Sequence, residues 1–81
     1  MKKLISIVTP AYNEEENIEI LVQEVKKLFT GVLAKYDYEH IIIDNGSVDK
    51  TASIVRTICL NDKNVKLIIN SRNFGHIRSP V

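Results

Sequence analysis

Three short polar segments hold most of the side chains in this sequence that could bind a ligand. They are residues 10–14, 44–49 and 70–76, and they carry carboxylates, amides, hydroxyls, a tyrosine and an arginine. Such groups suit hydrogen bonding and ring stacking with a small polar molecule. The sequence has neither a glycine-rich dinucleotide fingerprint nor a phosphate-binding P-loop. A nucleotide bound here would therefore not be held by its phosphates in either of those ways.

The apolar runs before these segments predict the elements that position them. Residues 4–9, 38–44 and 65–69 are rich in β-branched residues and are typical of buried strands. Apolar residues recur at helical spacing from Glu14 to about Leu33, and again from Ala52 until Asn61. This order, with short connections, predicts an α/β fold with a parallel β-α-β-α-β sheet. Because the carboxyl ends of parallel strands share one edge, the three polar segments are expected to meet there.

Polar residues next to the predicted helices are interpreted as helix caps. Asn13 is expected to cap the first helix, and the acidic residues 14–16 suit the positive end of its dipole. Ser47 or Asp49 is expected to cap the second helix. On this reading the hydroxyls and carboxylates around residue 50 stabilise a helix and have no further role.

Length and composition exclude several classes of protein. The chain has 81 residues, of which 44% are apolar and 26% charged, as expected for one small globular unit. The net charge of +1 is spread over interspersed acidic and basic residues, which argues against a nucleic-acid partner. The single cysteine, Cys59, is expected to be a small buried hydrophobe. The apolar run that follows Met1 is too short for a signal peptide or a membrane span, so a cytoplasmic location is expected, with membrane association of a longer protein left open.

Three stretches of the chain together resemble glycosyltransferase family 2, the inverting nucleotide-sugar enzymes of the GT-A fold. They are residues 8–15 after the first strand, 43–51 after the second, and 73–76 after the third. The resemblance implies that residues 1–81 are the amino-terminal, nucleotide-sugar-binding part of a glycosyltransferase domain. That part is a Rossmann-like half of the GT-A fold, here truncated.

The resemblance also implies which residues surround a nucleotide diphosphate sugar. Residues around the base and ribose would come from the first loop, with Tyr12 packing on the base, and others from the second loop. Arg72 would face the base or the phosphates. The implied nucleotide-binding residues are Pro10, Ala11, Tyr12, Glu14, Asp44, Asn45, Gly46 and Arg72. A UDP-type donor is favoured, although the family usually has a second aspartate where this chain has Asn45, an amide that donates as well as accepts.

No catalytic residue and no metal ligand is assigned to this chain. The family resemblance implies an acidic pair that holds Mg²⁺ or Mn²⁺ and a later carboxylate that acts as base, and neither is found at the expected edge. Asp37 and Glu39 have the spacing of an acidic pair but precede the second strand, which puts them at the opposite edge. The divalent metal is therefore expected only for the full-length enzyme, and this chain alone is expected to transfer no sugar.

Two alternatives to a glycosyltransferase part stay open at this point. One is a self-contained nucleotide-binding α/β module, and the other is an oligomerising α/β module that binds no ligand. Topology adds an expectation about assembly. In the strand order three, two, one that the family resemblance implies, right-handed crossovers put both helices on one face of the sheet and leave the other face bare. All three strands are apolar on both sides in the sequence, so a homo-oligomer is expected, formed either through the bare face or through the unpaired edge of the first strand.

Overall fold

The computed structural model describes residues 2–70 and confirms the predicted β-α-β-α-β order. The strands are β1 (Leu4–Ala11), β2 (Asp37–Asp44) and β3 (Val65–Ile69). The helices are α1 (Ile18–Thr30) and α2 (Thr51–Asn61). Arg72 and the rest of the segment after Asn70 lie outside the described residues.

The three strands form one parallel sheet with β2 in the centre, as predicted. β1 runs through Pro10 to Ala11, two residues further than predicted. Proline is accommodated because β1 bonds to β2 on one side only. The carbonyls of Lys3 and Ala11, both odd-numbered, accept hydrogen bonds from residues at the two ends of β2. The nitrogen of the even-numbered Pro10 therefore faces the open edge, where no donor is needed.

Both helices pack on the same face of the sheet, as the topology predicts. The main core cluster combines side chains from all five elements: Ala11, Ile18, Val22, Ile42, Val55 and Val65. A second cluster lies towards the amino ends of the strands, where the rings of Phe29 and Tyr38 stack with centroids 4.4 Å apart. Cys59 packs against the main cluster but is only half-buried, so the prediction of a buried cysteine holds in part. Desolvation raises the pKa of the Cys59 thiol, with Asp62 adding to the rise, which keeps it protonated at neutral pH.

The opposite face of the sheet is covered by nothing in residues 2–70, and we call it the bare face. Its apolar members include Leu4, Val8 and Ile68, each more than half exposed. A polar band also crosses the face. Glu39 accepts a hydrogen bond from the Ser6 hydroxyl and pairs with Lys66 at 3.7 Å. The apolar patch is therefore concentrated towards the carboxyl ends of the strands.

Helix α1 begins four residues later than predicted, and Asn13 does not cap it. Its N-cap position is Asn17, which makes no side-chain capping bond. Residues 14–17 form a turn in which the carbonyl of Glu14 accepts the N–H groups of Asn17 and Ile18. The acidic run before α1 is consequently not its first turn, and it is free to make other contacts.

His40 is a fully buried member of β2. Its Nε2 lies 2.9 Å from the hydroxyl of Thr9, whereas Nδ1 has no hydrogen-bond partner within residues 2–70. Burial lowers the pKa of the ring, because the charged form would lose its hydration. This agrees with the structural role expected of a histidine inside a strand.

Acidification is expected to destabilise the fold through His40. Its folded pKa lies below the unfolded value of about 6.5, so the unfolded chain binds more protons and stability falls as the pH drops below that value. Urea denaturation from pH 7.5 to pH 5 should show this loss, with a slope of at most about 1.4 kcal/mol per pH unit for one proton. The loss should be absent in His40→Gln. A His40 ring that titrates near its ordinary pKa by NMR would contradict the prediction.

Candidate functional site

The carboxyl ends of β1 and β2 stop level with one another and place two loops side by side. Ala11 pairs with Asp44, and Asp44 pairs with Ile69. We call residues 12–17 loop A and residues 45–50 loop B. The N–H of Asn45 donates to the carbonyl of Ala11 at 2.9 Å, which extends the sheet pairing into loop B. The first two polar segments therefore meet at one edge, as the sequence predicts, while the third lies outside the described residues after Asn70.

Loops A and B are joined by five reciprocal hydrogen bonds, which we call the interloop clasp. Three successive N–H groups of loop A donate to side chains of loop B and the start of α2: Asn13 to Ser47 Oγ at 2.8 Å, Glu14 to Thr51 Oγ1 at 2.8 Å, and Glu15 to Asp49 Oδ2 at 3.2 Å. In return, two N–H groups of loop B donate to side chains of loop A: Val48 to Asn13 Oδ1 at 2.9 Å and Lys50 to Glu15 Oε1 at 2.8 Å.

The clasp corrects the capping interpretation of these residues. Ser47 does not cap α2, because its hydroxyl is held between loop A and Asp44. Asp49 does accept the N–H of Thr51, as a cap would, but its second oxygen reaches across to Glu15. The side chain of Glu15 likewise bonds to loop B and not to its own helix. Sequence reasoning missed these roles because capping is a local pattern, and the matching signal lies in two segments more than 30 residues apart.

Asp44 lies beneath loop B and is almost completely buried. Its carboxylate accepts both the N–H and the hydroxyl of Ser47. Asn45, which follows it, is half-exposed, and its side-chain oxygen accepts a hydrogen bond from the amide of Asn70 at 3.1 Å. Gly46 has φ of 85°, a left-handed conformation that strains any residue with a Cβ. The turn after β2 therefore depends on glycine at this position.

The residues of the first loop open onto solvent. The ring of Tyr12 is 57% exposed, and Pro10 and Glu14 are exposed as well. A cleft of about 270 Å³ lies between the end of β1 and the start of α1, and its lining residues are Pro10, Ala11, Glu14, Asn17, Ile18 and Leu21. Three of the residues implied by the family resemblance thus line one cleft, while Asp44, Asn45 and Gly46 belong to the neighbouring loop.

Residues 2–70 do not offer the donor set of a divalent metal. No three histidine, cysteine, aspartate or glutamate side chains come together in that range. Asp37 and Glu39 lie at the amino edge of the sheet, as predicted, and Glu39 is already bonded to Ser6 and Lys66. The metal expected for the full-length enzyme therefore stays a prediction, and no chemistry is assigned to it here.

Comparison with known proteins identifies the family of this chain. The sequence profile of glycosyl transferase family 2 matches residues 6–79, which is most of the chain. The chain therefore belongs to glycosyl transferase family 2. Its parallel sheet with alternating helices is the arrangement expected for the amino-terminal part of that family.

Individual relatives share the same stretch of sequence. A putative glycosyltransferase, CsbB, of Bacillus subtilis is 42% identical over 72 residues, which cover 89% of this chain and 21% of the relative. A prophage bactoprenol glucosyl transferase homolog of Escherichia coli is 38% identical over 71 residues, covering 88% and 22%. The chain thus spans about a fifth of the length of these relatives. Within residues 2–70, no helix has the length and apolar character needed to cross a membrane.

Proposed function

We propose that this chain supplies the nucleotide-binding part of a glycosyltransferase that takes its sugar from a nucleotide diphosphate donor. The observation that carries the proposal is the meeting of loops A and B at the carboxyl edge of the sheet in a chain of this family. This edge of the sheet carries an exposed tyrosine, a cleft beside it and the amide of Asn45. These groups can stack on a base and form hydrogen bonds to it and to a ribose.

The donor and acceptor of the whole protein are part of the same proposal. A UDP-type nucleotide is favoured, because an amide oxygen at position 45 can accept from a pyrimidine ring N–H. Several relatives, 37–38% identical, are named bactoprenol glucosyl transferases, which supports a bactoprenol-type acceptor. We also propose that the protein is located in the cytoplasm.

Titration of the chain with UDP tests the proposal. Backbone amide NMR shifts should move at Tyr12 and around Asp44 and Asn45, with weak affinity. Tyr12→Ala should weaken binding roughly tenfold or more, since stacking of one base on an aromatic ring is worth about 1–3 kcal/mol. Asn45→Asp should bind as well as the wild type or better, because a carboxylate oxygen can still accept the bond from Asn70.

A matched control is Tyr36→Ala, because Tyr36 directly precedes β2 and lies at the opposite edge of the sheet. It should leave UDP affinity unchanged. Shifts confined to that amino edge, or none at all, would contradict a nucleotide site at loops A and B.

We also propose that the partner of the bare face is a second copy of the chain. Glu39 and Lys66 lie side by side on that face, so a twofold axis that passes between them can place Glu39 of one copy opposite Lys66 of the other. The apolar patch beside this pair would be buried in the same contact.

A further inference from the structure

Within residues 2–70, the interloop clasp joins the two loops next to the proposed nucleotide-binding residues. Tyr12 directly precedes Asn13 in loop A, and Gly46 directly precedes Ser47 in loop B. Glu14 donates its own N–H to Thr51. A shift of either loop would therefore move the groups proposed to contact the base relative to one another.

Asn13 is the point at which the clasp fixes the direction of loop A. Its φ is 52°, in the left-handed region that asparagine tolerates better than most residues. Two clasp bonds hold it there, one from its N–H to Ser47 and one from the Val48 N–H to its side chain. Because Tyr12 is the preceding residue, these bonds restrain the backbone that follows it.

Two relays of hydrogen bonds run through the clasp. In each, an N–H of loop A donates to a hydroxyl, and that hydroxyl donates to a carboxylate. The Asn13 N–H donates to the Ser47 hydroxyl, so the hydroxyl proton is directed to Asp44. In the same way the Glu14 N–H donates to the Thr51 hydroxyl, which donates to Asp49 at 2.5 Å. Each relay ends on a carboxylate, an acceptor that strengthens the whole chain of bonds.

The Asp49 carboxylate is kept ionised by these contacts. Desolvation alone would raise its pKa, but hydrogen bonds from the Thr51 hydroxyl and from the N–H groups of Thr51 and Glu15 outweigh this. They hold the pKa of Asp49 below its ordinary value. The Asp49 carboxylate therefore accepts the hydrogen bond from the Thr51 hydroxyl at neutral pH.

We infer that the interloop clasp is a positioning device for nucleotide binding, with Ser47 and Thr51 as its positioning residues. It sets Tyr12 on loop A against Asn45 on loop B before the ligand arrives, which lowers the ordering cost of binding. The inference rests on the proposed function. Four of the five clasp bonds face solvent and add little to overall stability, so they are better explained by the geometry that they impose on the two loops.

Matched pairs of variants test the inference by UDP titration. Ser47→Ala removes a clasp hydroxyl, whereas Ser53→Ala removes one that bonds only to the Lys50 carbonyl within the first turn of α2. Thr51→Val and Thr57→Val form a second pair that differs in burial: Thr51 is fully buried, whereas Thr57 is exposed and its hydroxyl bonds only to the Ser53 carbonyl. The clasp variants should lose about fivefold to thirtyfold in affinity, the equivalent of one or two hydrogen bonds, while both controls stay within about twofold. Ser47→Thr, which keeps the hydroxyl, should retain most of the affinity.

A double-mutant cycle separates positioning from general loosening of the fold. If the clasp acts by aiming Tyr12, Ser47→Ala should cost much less affinity in a Tyr12→Ala background than in the wild type. Amide hydrogen exchange without ligand gives an independent measure. Ser47→Ala should speed exchange at residues 13–15 in the other loop and leave the amides of β2 unchanged.

The outcomes distinguish this inference from the proposed function. Wild-type chain that binds UDP as tightly as Ser47→Ala, or equal costs of Ser47→Ala in both backgrounds, overturns the inference alone. Wild-type chain that does not bind UDP at all overturns the proposed function and the purpose assigned to the clasp with it.

Discussion

Replacing Ile42 by alanine is expected to lower the free energy of unfolding by about 2–5 kcal/mol. Ile42 is fully buried in the central strand, and its cluster draws side chains from both helices and all three strands. The substitution leaves a cavity that backbone paired on both sides cannot close. The free energy of unfolding of a domain of this size lies towards the low end of about 5–15 kcal/mol. The substitution would therefore remove a large part of it. Urea denaturation followed by circular dichroism measures the change.

Ile20→Ala is the matched control for this prediction. Ile20 lies on α1 with 61% of its surface exposed, so the same atoms are removed without leaving a cavity. Its effect should stay within about 0.5 kcal/mol. Equal losses in the two variants would mean that the core does not lie between the helices and β2.

If two copies meet through the bare face as proposed, replacing Val8 by lysine is expected to leave the chain monomeric. Val8 is 54% exposed on the bare face, within the apolar patch formed with Pro10, Ile41, Ile43 and Ile68. Contiguous exposed apolar patches often mark interaction sites. Burying a lysine in the middle of a dimer interface would be costly, whereas on an open edge strand the same lysine is well tolerated. Sedimentation velocity at micromolar concentration follows the change.

Val32→Lys provides the control, because Val32 is 82% exposed after α1 and lies away from the bare face. It should leave the dimer intact. A stable, well-folded monomer formed by the wild-type chain would contradict the proposed partner. A dimer that survives Val8→Lys would show that the copies meet through a different surface.

Much of the fold could be predicted from local patterns in the sequence. Val65–Ile69 has the predicted bounds, and Asp37–Asp44 differs from the prediction by one residue. These strands are readable because buried parallel strands are short, continuous runs of β-branched residues. The strand order was implied by the family resemblance, and the placement of both helices on one face followed from that order and right-handed crossovers. The predicted start of α1 was wrong, because the acidic residues before Ile18 match a helix start in composition, whereas they lie in a turn from which the Glu15 side chain bonds to loop B.

The sequence by itself determined the family and the edge of the sheet at which its polar segments gather. It could do so because each of these signals lies in one continuous stretch of sequence, such as a strand, the turn at Gly46 or a helix that follows a loop. Only the tertiary structure decided what Asn13, Glu15, Ser47, Asp49 and Thr51 do. Each of them is a plausible cap for its own helix, and local chemistry does not distinguish a cap from a bond to a distant loop. The choice was made when parallel pairing brought Ala11 level with Asp44, since that register places the N–H groups of one loop within reach of the side chains of the other.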